Sequence, residues 1–194
     1  MTRLFNIFFS LISLIILSPI LITSILIIWL QDGRNPFYLG SRVGKNHKIF
    51  KMIKLRSMYI NSEKKGIDST KVDDERITQI GKVIRRYKID EIFQLLNVLK
   101  GDMNLVGPRP NVKRDVDIYT VEEKKILNIL PGVTDFSSIV FSDEGEILKG
   151  VSDPDLEYNR IIRPWKSRLA LFYIDKKSFF MDIKILYLTM KLQI

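Results

Sequence analysis

The sequence predicts a mostly α-helical protein with one short β-hairpin, an α+β chain whose first segment is a membrane helix. Three observations carry that prediction. Residues 4–30 hold no formal charge and are almost wholly apolar, and about 20 such residues suffice to cross a bilayer. Beyond them the chain turns strongly charged, with apolar residues returning at helical spacing. Phe37–Arg42 and Lys48–Leu55 break that pattern as short extended runs joined by Gly44-Lys45-Asn46, a hairpin signature. The expected organisation is a membrane segment at 1–33 and a compact domain at 34–194.

Composition narrows the chemistry. A net charge of +9 over 194 residues implies an anionic partner: lipid headgroups, nucleic acid or a phosphorylated substrate. The absence of cysteine excludes disulfides and thiolate metal sites, and the lone His47 excludes a multi-histidine site. No nucleic-acid module, Gly-rich phosphate loop or Ser-His-Asp set is present.

The apolar segment is too long for the core of a signal peptide, and no small-x-small cleavage site follows it. Pro19 lies near its middle and lacks an N–H, so it frees a carbonyl and favours a bend; Ser18 can satisfy part of that loss. Each half has about 14 residues, roughly 20 Å of helix. That length passes the midplane and allows a return. Arg3 before the segment and Arg34, Arg42 and Lys45 after it place excess positive charge on both flanks. On residues alone, a re-entrant hairpin and a kinked spanning helix both remain open.

After the hairpin, a Lys/Gly/Ser/Asp-rich loop covers 61–73. Asp73 or Asp74 is placed to cap a helix running to Tyr87, with Ile77, Ile80, Val83 and Ile84 on one face. A second helix is expected from Asp90 to Lys100, with Gly101 as its C-terminal cap. Residues 102–110 read as irregular, 111–119 and 121–129 as helical, and 136–150 as a short strand before an acidic turn. Two helices, 154–174 bent at Pro164-Trp165 and 178–192, close the chain. The last carries an apolar face (Phe179, Phe180, Met181, Ile183, Leu186, Tyr187) suited either to the core or to a membrane interface.

The residues with most chemical content are the adjacent pair Asp90-Glu91. At 100° per residue, Gln94 and Asn97 fall on the side of Asp90, so Asp90 heads a narrow polar seam on an otherwise apolar helix. Two readings stand: first-turn acids that stabilise a helix, or a nucleophile and metal-binding pair. Arg85 and Arg86 lie just upstream. Arg109, between Pro108 and Pro110, projects from a stiff loop and offers a planar fork for phosphate. Of the basic run Lys45, Lys48, Lys51, Lys54 and Arg56, one or two members are expected at a site and the rest on a solvated face opposing lipid.

These residues resemble a known family. Lys54-Leu55-Arg56-Ser57-Met58, Ile84-Arg85, Asp90-Glu91-Ile92-Phe93-Gln94, the stretch from Asn97 to Pro110 and Pro131-Gly132-Val133-Thr134 are similar to blocks of the bacterial sugar transferases, small monotopic phosphoglycosyl transferases. The resemblance covers nearly the whole chain. It implies transfer of sugar 1-phosphate from a UDP-sugar to polyprenyl (undecaprenyl) phosphate with release of UMP, the start of bacterial glycoconjugate or polysaccharide assembly. It assigns Asp90 as nucleophile forming a covalent phosphosugar intermediate and Glu91 as its partner. Mg²⁺ is expected at Asp90 and Glu91, and phosphate contacts at Lys54, Arg85 and Arg109. It matches Ser18-Pro19 to a re-entrant hinge, so the expected architecture is a re-entrant membrane helix on an interface-docked catalytic domain at the cytosolic face of the bacterial inner membrane. Membrane lipids are expected partners, nucleic acid is not, and a homodimer stays open. Two departures stand out. Lys88-Ile89 and Phe93 replace the family's usual Ser-Leu and proline, and Asp135-Phe136-Ser137-Ser138-Ile139 with Asp143-Glu144 replaces Gly-Leu-Trp-Gln and a Gly-Arg-containing turn, in a region expected to touch the donor. The competing class is a catalytically inactive, membrane-anchored interaction protein of the same fold.

Overall fold

A computed structural model describes residues 3–62, 70–71 and 73–192. Helix α1 (Arg3–Asp32) runs unbroken through Pro19, and it is long and apolar enough to cross a bilayer. Pro19 leaves the carbonyl of Ile15 without its helical donor, and the Ser18 hydroxyl supplies one at 2.7 Å, as expected. Asn6, Ser10, Leu21, Ser24 and Ile28 are buried along one stripe, with Leu14 and Leu17 between them half-buried against the core. The remaining faces expose Leu4, Ile15, Ile16 and Leu30 among others.

Both ends of α1 are fastened to the rest of the molecule. Arg3 donates to the carbonyls of Val98 and Leu99. Asp32 forms an ion pair with Arg56, whose Nη2 lies 2.7 Å from Oδ1.

Strands β1 (Phe37–Val43) and β2 (Ile49–Leu55) form the expected antiparallel hairpin, in register from Phe37 opposite Leu55 to Val43 opposite Ile49. Helix α2 (Gln79–Arg86) is shorter than expected, and its cap is Thr78 rather than Asp73 or Asp74. The reason is tertiary. Ile77 pairs in a β-bridge with Met58, and the Thr78 N–H donates to Ser57, which keeps 77–78 extended. Val83 consequently faces solvent while Ile77 and Ile84 are buried.

The helix expected from Asp90 is also shorter. Lys88 adopts a left-handed conformation (φ 54°), Ile89–Glu91 form a single 3₁₀ turn, and α3 spans Gln94–Lys100, ending as expected at Gly101 with φ 93°. Residues 102–110 are not wholly irregular. β3 (Asn104–Val106) pairs in parallel with β4 (Gly132–Thr134). Three-residue strands carry too little alternation to be read from sequence. What marks this pair is glycine: a Cβ on Gly132 would lie 2.1 Å from the Gly107 nitrogen.

The stretches 111–119 and 121–129 shrink to α4 (Lys113–Asp117) and a 3₁₀ turn over Glu123–Asn128. The strand expected within 136–150 is instead helical: α5 (Phe136–Val140) and α6 (Glu144–Ile147). Asp135 decides this by capping α5, accepting from the Ser138 N–H at 2.7 Å. Near the C-terminus come α7 (Pro154–Glu157), a π-helical turn at Tyr158–Ile162, α8 (Arg163–Lys176) and α9 (Phe179–Leu192). Pro164 sits in the first turn of α8, where proline is tolerated, so the interruption precedes it.

On α9, Asp182 and Ile185 face inward, while Phe180, Ile183 and Tyr187 are exposed. The Phe179 ring meets Phe5 of α1 edge-on at 5.6 Å. The exposed apolar surface of α9 therefore continues that of α1. The main core gathers Phe50, Met52, Leu95, Val98, Met103, Val106, Tyr173 and Ile185, and α3 lies between this cluster and the one beneath α1.

Candidate active site

Four segments meet at the 3₁₀ turn before α3. The clamp that assembles them is Asn97, fully buried. Its Oδ1 accepts from the Ile53 N–H at 2.9 Å and its Nδ2 donates to the Lys51 carbonyl at 2.8 Å. These bonds lock β2 against α3 and deliver the next residue, Lys54, to Glu91, where Nζ lies 2.8 Å from Oε1. Arg109 reaches the same oxygen from the opposite side. Its loop is stapled twice: Gly132 N–H donates to the Pro108 carbonyl at 3.0 Å, and Val43 N–H to the Asn111 carbonyl at 2.9 Å. Two prolines and two cross-strand bonds thus hold Arg109 as a rigid fork.

Glu91 is consequently fixed as an anion. Burial alone would push its carboxyl up, but the Arg109 and Lys54 charges and hydrogen bonds outweigh this and hold it well below the usual carboxylate range. The Glu91 charge in turn raises Arg109. Lys54 moves down, because burial and the Arg109 charge outweigh the attraction of the two carboxylates.

Asp90 differs from its neighbour in how its oxygens are used. It is buried, yet its Oδ1 has no hydrogen-bond partner among the described residues. Burial, then the Glu91 charge, push its carboxyl up against the opposing fields of Lys54, Arg85 and Lys88. Arg85, in the last turn of α2, is near enough for its charge to act on Asp90, and its guanidinium makes no hydrogen bond or ion pair among the described residues. The turn therefore presents one carboxylate oxygen unspent and one cation unspent, beside a carboxylate already committed to two cations.

Of the basic run, only Lys54 enters the site. Arg56 pairs with Asp32, Lys51 reaches the Ser41 hydroxyl, and Lys45 and Lys48 are exposed at the hairpin turn. Ser18 and Pro19 lie in α1, away from this chemistry. The sequence did not reveal a second group near Arg109. Asp135 and Glu144 are close enough for their charges to act on it. Glu144 is paired with Lys166, whose ammonium lies 5.1 Å from the centre of the Tyr158 ring. Burial, then the Glu144 charge, raise the Tyr158 hydroxyl. The only sequence signal for this group was the departure from family pattern at 135–150.

Among the described residues no three His, Cys, Asp or Glu side chains cluster as a metal cage. Two adjacent carboxylates, one with a free oxygen, suit a cation that takes one or two carboxylates and completes its shell with water and substrate phosphate, as Mg²⁺ does.

The profile described as bacterial sugar transferase matches residues 1–194. An uncharacterized sugar transferase of Bacillus subtilis, EpsL, is 34% identical over 97% of this chain and 85% of its own length. The UDP-N-acetylgalactosamine-undecaprenyl-phosphate N-acetylgalactosaminephosphotransferase of Aeromonas hydrophila is 32% identical over 94% of this chain but 41% of its own length. The undecaprenyl-phosphate glucose phosphotransferase of Komagataeibacter xylinus is 36% identical over 99% of this chain and 35% of its own length.

Proposed function

Because this chain belongs to the bacterial sugar transferase family, we propose that it moves a sugar 1-phosphate from a UDP-sugar to undecaprenyl phosphate, with release of UMP. The observation that carries the proposal is the contrast within the dyad: Glu91 is neutralised by Lys54 and Arg109, while Asp90 keeps a buried, unpaired oxygen. That oxygen attacks the β-phosphorus of the donor. The new O–P bond forms as the bond to UMP breaks, leaving the phosphosugar on Asp90. An oxygen of undecaprenyl phosphate then attacks the same phosphorus, frees the carboxylate and yields the polyprenyl diphosphosugar.

The chain's own residues supply most of what these displacements need. Arg85 offers an unspent guanidinium to a phosphate oxygen, and Arg109 has a fork only partly used by Glu91. Glu91 holds both Lys54 and Arg109 in place and fixes their charge. Asp90 and Glu91 would hold Mg²⁺ together with the donor's diphosphate. Bound there, the cation would offset charge that otherwise repels an anionic nucleophile.

The acceptor's phosphate lies at a lipid surface, and the exposed faces of α1 and α9 support a domain docked against one. A re-entrant α1 is part of the proposal. Its inward stripe runs from Asn6 to Ile28, about 33 Å at the helical rise, and both of its ends are tied to the same charged body. A spanning helix would carry one of those ends, and its ion pair, to the opposite leaflet. The domain belongs on the cytosolic side, where nucleotide sugars reside.

The test is release of UMP from a panel of UDP-sugars, N-acetylated hexosamines and glucose first, with undecaprenyl phosphate in nanodiscs. Release by wild type but not by Asp90→Asn, with labelled sugar phosphate retained on the wild-type protein before acceptor is added, is the expected result. No release with any donor would favour the inactive interaction protein. For topology, cysteines placed at positions 4 and 34 should label from the same side.

A further inference from the structure

The polar seam of Asp90, Gln94 and Asn97 holds two carboxamides in opposite states. Asn97 spends both of its amide atoms on the backbone of β2. Gln94 is equally buried, with no exposed surface, yet neither its Nε2 nor its Oε1 has a hydrogen-bond partner among the described residues. Four residues earlier, the Oδ1 of Asp90 is enclosed and unpaired as well. The backbone between them is helical or nearly so: a 3₁₀ turn at Ile89–Glu91, then Ile92 and Phe93 in right-handed helical conformation.

Buried polar atoms are nearly always satisfied, and an orphaned donor or acceptor is costly to keep. Leucine would fill a similar volume at this position with no polar atom left unpaired. Both ends of one carboxamide are idle within a turn of an idle carboxylate oxygen. The missing partner is therefore one that arrives with the substrate.

We propose that Gln94 is a further catalytic residue, whose Nε2 donates to an oxygen of the phosphoryl group that Asp90 receives. The inference rests on the phosphoryl-transfer reading above. Glu91 cannot take this role, because an ionised carboxylate has no proton to donate. Lys54 is held by Glu91, and Arg85 and Arg109 bring full positive charges to the phosphate. Gln94 supplies a neutral donor, which contacts phosphate without adding a charge that would pair with Asp90 and blunt its attack. In the resting protein the donor is unspent, so it gains its full bond only when a phosphoryl oxygen is present.

The experiment uses the full-length protein in nanodiscs and compares wild type with Gln94→Leu and Gln94→Glu. Two readouts are taken: UMP release, and the thermal midpoint with and without inorganic pyrophosphate and Mg²⁺. Gln94→Leu removes the two orphaned atoms, so its unliganded midpoint should equal or exceed that of wild type, by up to about 3 °C, while UMP release falls about 100-fold. Pyrophosphate should raise the midpoint of wild type and do so much less for Gln94→Leu. Gln94→Glu keeps the length and one oxygen but loses the N–H donors, and should be no more active than Gln94→Leu.

A Gln94→Leu protein that melts clearly below wild type would make the side chain structural and overturn the proposal. So would wild-type turnover by either variant, an equal pyrophosphate response in both proteins, or no response in wild type. If wild type responds to pyrophosphate through Gln94 but turns over no UDP-sugar, the donor assignment fails and the Gln94 assignment stands.

Discussion

The two sides of the 3₁₀ turn before α3 differ in how their polar groups are spent. On the Glu91 side every charge is answered: Lys54 and Arg109 converge on one carboxylate oxygen, and Asn97 ties the strand behind them to the helix. On the Asp90 side little is answered among the described residues: a carboxylate oxygen and a carboxamide are unpaired, and the Arg85 guanidinium makes no hydrogen bond or ion pair. The first side is a frame that costs little to maintain. The second is held ready at the expense of stability, which is where a reacting group is expected to sit. Neighbouring residues of the same chemical type have been given opposite tasks by what surrounds them.

The largest effect that would test this division comes from Asp90→Asn. Turnover should fall at least about 10⁴-fold, while the fold becomes no less stable at neutral pH. The sign follows from the raised carboxyl of Asp90. A raised acid favours the folded state when protonated, and that contribution disappears as pH climbs through its folded value. Once ionised, the buried carboxylate is a burden to the folded state, and the neutral amide avoids that charge. Thermal melts at pH 7 check this; a midpoint several degrees below wild type would show that Asp90 belongs to the frame.

Glu91→Gln should do the reverse to stability. It leaves Lys54 and Arg109 facing each other, partly buried with side-chain exposures of 18% and 30%, and should cost about 2 kcal/mol. Turnover should fall by about 10²-fold. Because the Glu91 carboxyl is held well below its ordinary value of 4.5, its contribution is fully present above that pH and is lost as pH falls through the folded value. The stability gap between wild type and Glu91→Gln should therefore narrow below about pH 4.5 in denaturant titrations. Adding Lys54→Met to Glu91→Gln should recover part of the stability and none of the activity.

The site was legible in sequence to the extent that its members are contiguous or motif-borne. Asp90, Glu91, Arg85 and Arg109 could be named because short segments carry them, and Lys54 because Lys54-Leu55-Arg56-Ser57-Met58 resembles a family block, the spacing of the basic run alone not distinguishing it. What sequence could not reveal was the division of labour, since that depends on which cation reaches which oxygen across the fold. The same limit governs the elements. The hairpin, the Gly101 cap and the Ser18 bond to Ile15 are local and were readable. The start of α2 was not, because Met58 and Ser57 hold Ile77 and Thr78 extended from across the chain. The parallel pair β3–β4 joins residues some 28 positions apart. At 136–150 a short strand was the expectation, and the Asp135 cap with its Ser138 bond starts a helix instead.

Asn97→Leu probes the frame without removing a charge, although it also drops the 3.4 Å bond from Asn97 Nδ2 to the Asp102 carboxylate. It leaves the Ile53 N–H and the Lys51 carbonyl unpaired against α3, a loss of about 2 kcal/mol. Lys54 loses the constraint that aims it at Glu91, so turnover should drop roughly 10-fold, a smaller change than removing Glu91 itself. Hydrogen exchange at the Ile53 amide is the direct check. Protection there that matches wild type would mean the strand is held by the hairpin alone.

Arg3→Ala gives the smallest expected change, and it joins the comparison to the membrane. Arg3 donates to the last carbonyls of α3 from the far end of α1, where a cation complements the helix dipole. Its loss should cost about 1 kcal/mol. The Asp32–Arg56 pair at the other end of α1 stays intact, so the helix remains attached. The Glu91 frame, held by Asn97 and the stapled Arg109 loop, should not notice. The Asp90 side has no such bonds and depends on where α3 sits. Arg3→Ala should therefore lower turnover by a few-fold while the midpoint moves by about 3 °C or less. Arg3→Lys keeps the charge but replaces the two-pronged guanidinium, and should recover the midpoint more fully than the rate. Equal recovery of both would mean that α1 contributes attachment alone, with no say in how the dyad is aimed.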